Sequence, residues 1–369
     1  MSSQLIHSKL SENNIFSGEC SNDAKIFLNK NEQGQDTSPK VKKAILQALD
    51  NLSWNRYPEA EQAELYELIA AYAGLASNQI ALGAGAASLI GNLLNYFAIN
   101  GYQIIIPEPS YAFFNHHCKT YNIPYIPWVL NNELQYDIKN LPRITDKSVL
   151  FIVSPNNPVG NTFPEDKLRL LLKKYPKTTI VLDAVYQEYG KSIFTPLINE
   201  YENLLVLRSF SKAFPAAGIR LGYLCGQAQV ITLYRKLVLP YSINLFSLSY
   251  AIKLLSTPNF LEAEILNIEK TLILRTQLYN KLLKEFNTSQ IRVFPSEGNF
   301  LLIQFATKED FKDATNELDK CNIEVLNTSN HKNLEHSIRV SIGSEKEMDL
   351  FYQCMKQTLK TGMNDEHKK

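Results

Sequence analysis

The chain has 369 residues, a formal net charge of +1, 45% hydrophobic residues and 20% charged ones. That length predicts a large core and two domains, and the even charge balance excludes a nucleic-acid or anionic-membrane binder. Cys20, Cys118, Cys225, Cys321 and Cys354 form no CxxC pair, which argues against a zinc site or disulfide scaffold and predicts a reducing, cytoplasmic setting; no apolar run is long enough for a signal peptide or a membrane span.

Residues 1–36 are polar, broken only by Ile26-Phe27-Leu28, and predict an extended arm. Ser38-Pro39 is a helix cap followed by proline at the first helical position, opening a helix through Leu52. A turn at Asn55-Arg-Tyr-Pro58 leads into a helix through Tyr72 that places Leu65, Leu68, Ile69 and Tyr72 on one face. From Gln79 short apolar runs alternate with longer amphipathic segments: Ile80–Leu82, Ile104–Ile106, Val149–Val153, Thr179–Leu182 and Leu204–Leu207. This alternation predicts βα units on a parallel sheet covered on both faces, with ligands at the carboxyl ends of the strands. Helices are expected at Gln229–Leu239, from Ser247, and at Leu261–Glu285. A smaller α/β domain follows, with strands Asn299–Phe305, Ile323–Leu326 and Ser337–Ile342, helices Glu309–Asp319 and Glu345–Leu359, and a frayed tail from Thr361.

The chemically distinctive residues fall just after the predicted strands. Val206-Leu-Arg-Ser-Phe-Ser-Lys212 puts Ser209 and Ser211 beside a lysine, and Arg220 follows eight residues later. Hydroxyls and an arginine suit a phosphate, and the lysine suits a Schiff base; pyridoxal phosphate (PLP) makes both demands. Surface lysines on a turn are the plainer alternative. Gly83-Ala-Gly-Ala-Ala-Ser88 between strand and helix can offer backbone N–H groups to a phosphate, or simply let a helix approach a sheet. Asp183 closes an apolar strand, where a carboxylate needs a partner such as a protonated pyridine nitrogen, unless it is a helix cap. Asn157 and Tyr186 can both hydrogen-bond a phenolate oxygen, Tyr111 can stack on a ring, and Arg339 inside Ser337–Gly343 can clamp a carboxylate or face water at a sheet edge. The histidines offer no metal site: His116 and His117 are adjacent, and His331 and His336 are five apart, off the i, i+4 spacing of a helical pair.

Leu28–Glu32, Asn55–Pro58, Ser154–Gly160, Asp183 with Tyr186, Ser209–Phe214, Gly218–Arg220, Glu297–Phe300 and Ile338–Gly343 stand in the order and spacing of one group. From about Leu28 to Leu359 the chain resembles a fold-type I PLP-dependent aminotransferase of class I/II, and within that group it is most similar to the histidinol-phosphate aminotransferase family. The resemblance implies an α/β fold with a large PLP-binding domain, its mostly parallel sheet lying between helices, and a smaller α/β C-terminal domain. We expect an arm at 1–36, the large domain at 37–245, connecting helices at 246–285 and the small domain at 286–369.

By the same resemblance Lys212 forms the Schiff base and shuttles the substrate proton, and Asp183 pairs with the pyridine nitrogen. Asn157 and Tyr186 bind the phenolate oxygen, and Tyr111 stacks on the ring. Ser209, Ser211, Arg220 and the amides of Ala86 and Ala87 hold the phosphate, with Tyr57 reaching it from the second subunit of a homodimer. Arg339 binds the carboxylate of glutamate or 2-oxoglutarate, and Asn157 also borders the substrate. The implied activity is amino transfer between L-glutamate/2-oxoglutarate and a second amino acid or amine by a ping-pong mechanism; a threonine-phosphate decarboxylase on the same scaffold is the alternative. Departures concentrate on the substrate side. Ile323-Glu-Val325 is followed by Leu326 where the family carries a second arginine, Phe16 stands nearest to an expected arm tyrosine, and Gly34 replaces a proline. Near the cofactor, Ala87-Ser88, Asp183-Ala-Val-Tyr186 and Pro215 also differ from the family pattern.

Overall fold

A computed structural model describes residues 26–286 and 289–365, with side chains described through Thr358. Most of the expected arm, Phe16 included, therefore lies outside the described residues. The described chain enters as a short strand, β1 (Ile26–Leu28), and Ser38 then caps the helix Pro39–Asp50, its Oγ accepting from Val41 N at 3.3 Å.

A seven-stranded sheet follows, built from β2 (Ile80–Gly83), β3 (Gln103–Glu108), β4 (Ile126–Val129), β5 (Ser148–Val153), β6 (Thr179–Asp183), β7 (Leu204–Ser209) and β8 (Gly222–Cys225). Their order across the sheet is β2-β8-β7-β6-β5-β3-β4. Every residue of β5 and β7 is buried, which explains their unbroken apolar runs: a strand covered on both faces has no wet side toward which to alternate. The run from β7 to β4 is parallel, whereas β8 lies antiparallel to both β2 and β7. Two of these strands escape the sequence pattern. β4 carries Pro127, which a strand tolerates at a sheet edge, and β8 begins only at the last glycine of the Gly-Ile-Arg-Leu-Gly run. Parallel strands carry Glu108, Val153, Asp183 and Ser209 to one edge, where the loops after β3, β5, β6 and β7 meet.

The second sheet takes β9 (Ile291–Phe294), β10 (Phe300–Phe305), β11 (Ile323–Asn327) and β12 (Ser337–Ser341), and also recruits β1. Its order is β1-β11-β12-β10-β9, with β1 parallel to β11 and the remaining pairs antiparallel. One face packs Leu28, Ile303, Ile338 and Val340 into a core of its own. The long helix Pro258–Glu285 serves both cores, burying Phe260 and Ile268 against the large sheet and Leu278 and Leu282 against the small one. The helices expected from Gln229 and Ser247 occupy Ala228–Tyr234 and Leu245–Ser256.

Two expectations need correction. The last helix, Glu345–Asp365, continues past Thr361, where a frayed tail was expected. Cys321 and Cys354 form a disulfide, against the expectation that the cysteines stay apart. Cys321 caps the helix Lys308–Lys320, Cys354 lies on the last helix, and packing of those two helices brings together thiols that share no sequence motif. Among the described residues, no helix is long and apolar enough to cross a membrane.

Candidate active site

β7 ends at Ser209, which caps the short helix Phe210–Ala213 by accepting from Ser211 N at 3.1 Å. That single turn delivers Lys212, whose half-buried side chain donates from Nζ to the Lys30 carbonyl at 2.6 Å. Burial and then the neighbouring Arg339 push the lysine down to about 8, with Glu32 pulling the other way and Arg220 adding to the fall. One strand over, β6 ends at Asp183, only 5% exposed. Its carboxylate accepts from Val185 N at 3.2 Å and enters no ion pair among the described residues, and burial pushes it up to about 7.

Beside Lys212 the chain builds an anion cradle. Gly85 sits at a φ of 79°, and a Cβ there would lie 2.6 Å from Arg220 Nη2. A Cβ at Gly222 would lie 2.7 Å from Ala86 N, so the turn before the helix Ala86–Ile99 presses directly on β8. The first amides of that helix, Ala86 and Ala87 among them, have no intrahelical acceptor. Ser209 pairs with Gly222 across β7 and β8, and Ser211 Oγ lies 3.4 Å from Arg220 Nη1. A helix N-terminus, two hydroxyls and a guanidinium together suit a phosphate.

The remaining predicted groups close the same space. Tyr186 is buried, its hydroxyl accepting from Asn31 Nδ2 at 2.9 Å, and burial raises its pKa. Tyr111 begins the helix Ala112–Thr120, its ring stacked on Phe113 at 5.9 Å; burial, then Tyr186 and Asp183, raise it to about 12 while Arg220 and Arg339 oppose. Arg339 lies in the middle of the small sheet, not at an edge, and is 4% exposed. Its Nη1 donates to Asn157 Oδ1 at 2.5 Å, its Nη2 to the Asn29 carbonyl, and its Nε has no partner; burial pushes the guanidinium down to about 10. Tyr57 stands apart, 70% exposed and stacked on Tyr241 at 4.1 Å.

Sequence reasoning gave no role to the segment Asn29–Gln33, which crosses the whole site. Besides the contacts of Asn29, Lys30 and Asn31, Gln33 Nε2 donates to Tyr189 Oη at 2.6 Å and to the Ala213 carbonyl at 2.9 Å. It also missed Arg208, which precedes Ser209 and pairs with Glu188 at 2.5 Å in the turn just after Tyr186. Tyr72 Oη donates to the same carboxylate at 3.3 Å. That buried pair ties β7, the strand that leads to Lys212, to the loop bearing Tyr186.

A phosphate cradle, a reactive amine and a buried carboxylate that lacks a cation are what a phosphorylated pyridine aldehyde requires, and they define the fold-type I PLP class. The model of the family described as "Aminotransferase class I and II" matches residues 23–353. A histidinol-phosphate aminotransferase of Pyrococcus furiosus is 33% identical over 339 residues, 91% of this chain and 93% of that one. The crystal structure of the histidinol-phosphate aminotransferase from Clostridium acetobutylicum superposes with a TM-score of 0.79 at 26% identity, covering 90% of this chain and 98% of that one. L-threonine-O-3-phosphate decarboxylase from Porphyromonas gingivalis shares the fold, with a TM-score of 0.77 at 21% identity over 91% of this chain and 99% of that one. The chain belongs to the class I and II aminotransferase family. It is a PLP-dependent aminotransferase.

Proposed function

We propose that the enzyme moves an amino group between L-glutamate/2-oxoglutarate and a second amino acid or amine, each half-reaction using the same site in turn. The observation that carries this is the spacing of functions along one segment: the Asn29 carbonyl holds Arg339 and the Lys30 carbonyl holds Lys212. A substrate carboxylate at Arg339 therefore brings its α-carbon toward the amine that must handle its proton.

When bound, PLP supplies an electron sink that lets the substrate α-carbon release its proton. Lys212 would hold the cofactor's aldehyde carbon, and its amine would be the group that takes and returns the proton at the substrate α-carbon. A lysine held near 8 keeps a useful neutral fraction close to neutral pH, which a general base needs. Asp183 pairs with the ring nitrogen, and that cation supplies the charge its buried carboxylate lacks. Asn157 and Tyr186 bind the phenolate oxygen and Tyr111 stacks on the ring. The amides of Ala86 and Ala87, with Ser209, Ser211 and Arg220, hold the phosphate. Tyr57 completes that cradle from a second copy in a homodimer, supported by its exposure beside Trp54, which is 75% exposed. The arm and domain division given from the sequence belongs to this proposal. So does a cytoplasmic location, which rests on composition and the buried free thiols of Cys118 and Cys225 and has the Cys321–Cys354 bond against it.

Arg339 binds the substrate carboxylate, its unpartnered Nε being the free edge of the guanidinium. Leu326 lies directly opposite Arg339 in the β11–β12 pairing and offers no donor to a second anionic group. A phosphorylated substrate thus gains less here than where an arginine holds that position. The decarboxylase alternative has only a shared fold behind it. The test is a half-reaction screen on the PLP-loaded protein, following cofactor absorbance with glutamate, histidinol phosphate and aromatic amino acids separately. We expect glutamate and one non-phosphorylated amino acid to react. Conversion by histidinol phosphate as fast as by glutamate would overturn the substrate argument, and release of carbon dioxide instead of a keto acid would overturn the transferase assignment.

A further inference from the structure

The face of the small sheet turned toward Lys212 carries a carboxylate that the proposed chemistry leaves unused. Phe27 pairs with Glu324 between β1 and β11, and Leu326 pairs with Arg339 between β11 and β12. Paired residues share a face, and alternate residues along a strand share it too. Glu324, Leu326 and Arg339 therefore point one way, while Leu28, Ile338 and Val340 point into the core behind.

Asn29 links the two charges on that face. Its Nδ2 donates to Glu324 Oε1, and its carbonyl accepts from Arg339 Nη2. Glu324 forms no ion pair with Arg339, whose other bonded partner is the neutral Asn157 amide. A direct Arg–Glu pair would compete with any substrate carboxylate for the guanidinium. An asparagine between them orients the arginine and leaves its charge uncommitted. Three buried atoms of this relay lack partners: Glu324 Oε2, Asn29 Oδ1 and Arg339 Nε. A buried polar atom left unmatched is costly, so this is where the fold keeps hydrogen-bonding capacity open.

We infer that Glu324 is a positioning residue for substrate carboxylates, acting through Asn29 to fix Arg339 with its Nε edge free. The inference rests on the assignment of Arg339 as the carboxylate clamp. Its test is binding of succinate, an unreactive dicarboxylate, to the PLP-loaded protein by calorimetry, beside steady-state kinetics with 2-oxoglutarate. Glu324→Ala should raise the succinate Kd and the 2-oxoglutarate KM about tenfold, the loss of roughly one charged hydrogen bond, with kcat within about twofold. Glu324→Gln keeps the acceptor and should bind succinate within about twofold of the parent. Asn29→Ala should match Glu324→Ala, and the double variant should lose no more than either alone, since the two act in series. Succinate binding by Arg339→Leu as tight as by the parent would remove the clamp itself. If Arg339→Leu loses succinate while Glu324→Ala and Asn29→Ala bind it unchanged or more tightly, the clamp stands and the positioning role fails. A Glu324→Ala effect confined to Tm, or equal losses in the Ala and Gln variants, would also overturn it.

Discussion

Around Asp183 and Lys212 the site consists of strand ends that are neighbours in one sheet, β6 beside β7 with β8 next to it. Around Arg339 it consists of one face of a different sheet and a segment that arrives from the opposite end of the chain, Asn29 meeting a residue 310 positions away. The first arrangement is built on hydrogen-bonded neighbouring strands, which suits it to holding one cofactor in one pose. The second depends on two remote pieces staying in register, and on the proposed role of Arg339 it is the part that accepts two different substrates in turn. Both regions carry departures from the resembled family's pattern, Leu326 opposite Arg339 and Ala87, Ser88 and Pro215 near the cofactor side, while Lys212, Asp183 and Arg220 are in place.

The sharpest way to separate the halves is Lys212→Ala. Turnover should fall by at least about 10³-fold, the scale of a lost general base together with a lost nucleophile, while PLP and succinate still bind. Normal turnover by that variant, measured in the same assay, would end the assignment of Lys212. Next in size is the Arg208–Glu188 pair beneath the cofactor side. Glu188→Ala leaves a buried guanidinium uncompensated and should cost about 3–5 kcal/mol of stability in denaturant melts. A loss below about 1 kcal/mol, the range of exposed pairs, would show that the cofactor side does not depend on it. On the substrate side, Leu326→Arg adds a charged donor opposite Arg339 and should raise kcat/KM for histidinol phosphate about 10- to 100-fold, with glutamate less affected. No gain would place the phosphate elsewhere.

A further effect is a pH dependence of the cofactor-free protein. Asp183 is raised to about 7 from an ordinary carboxyl value, so the folded state binds the extra proton. Its contribution to stability is full at acidic pH, below the unfolded carboxyl range, and is lost as pH rises through about 7. Melting temperatures should therefore slope downward over that window, less steeply in Asp183→Asn. An identical slope in the variant would assign it to other groups.

What could be read from the sequence divides along the same boundary. β5, β6 and β7 announce themselves as apolar runs closed by chemical residues, because parallel central strands are buried on both faces. Lys212, Asp183 and the Gly85 turn were legible for that reason, each within a few residues of the end of a strand, and Arg220 through its place in the Gly-Ile-Arg-Leu-Gly run after the lysine. Asn29, Lys30, Gln33 and Glu324 were not. Two of the key contacts use main-chain carbonyls, which every residue possesses, and the Glu324–Asn29 bond spans 295 positions without leaving a motif. The Arg208–Glu188 pair was hidden likewise, since an arginine in an apolar strand gives no sign of its partner. The Cys321–Cys354 bond depends on two helices packing, which cysteine spacing does not encode.

The parallel pairing of β1 with β11 has a consequence for how the protein is made. Ile26 pairs with Ile323, so one of the first ordered strands to leave the ribosome waits for one of the last. At translation rates of about 5–20 residues per second, the partner of β1 emerges roughly 15–60 s later. Through that interval β1 lacks the strand it pairs with in the finished sheet. The contact between Asn29 and Arg339 is therefore completed only after the last strands of the small sheet have emerged.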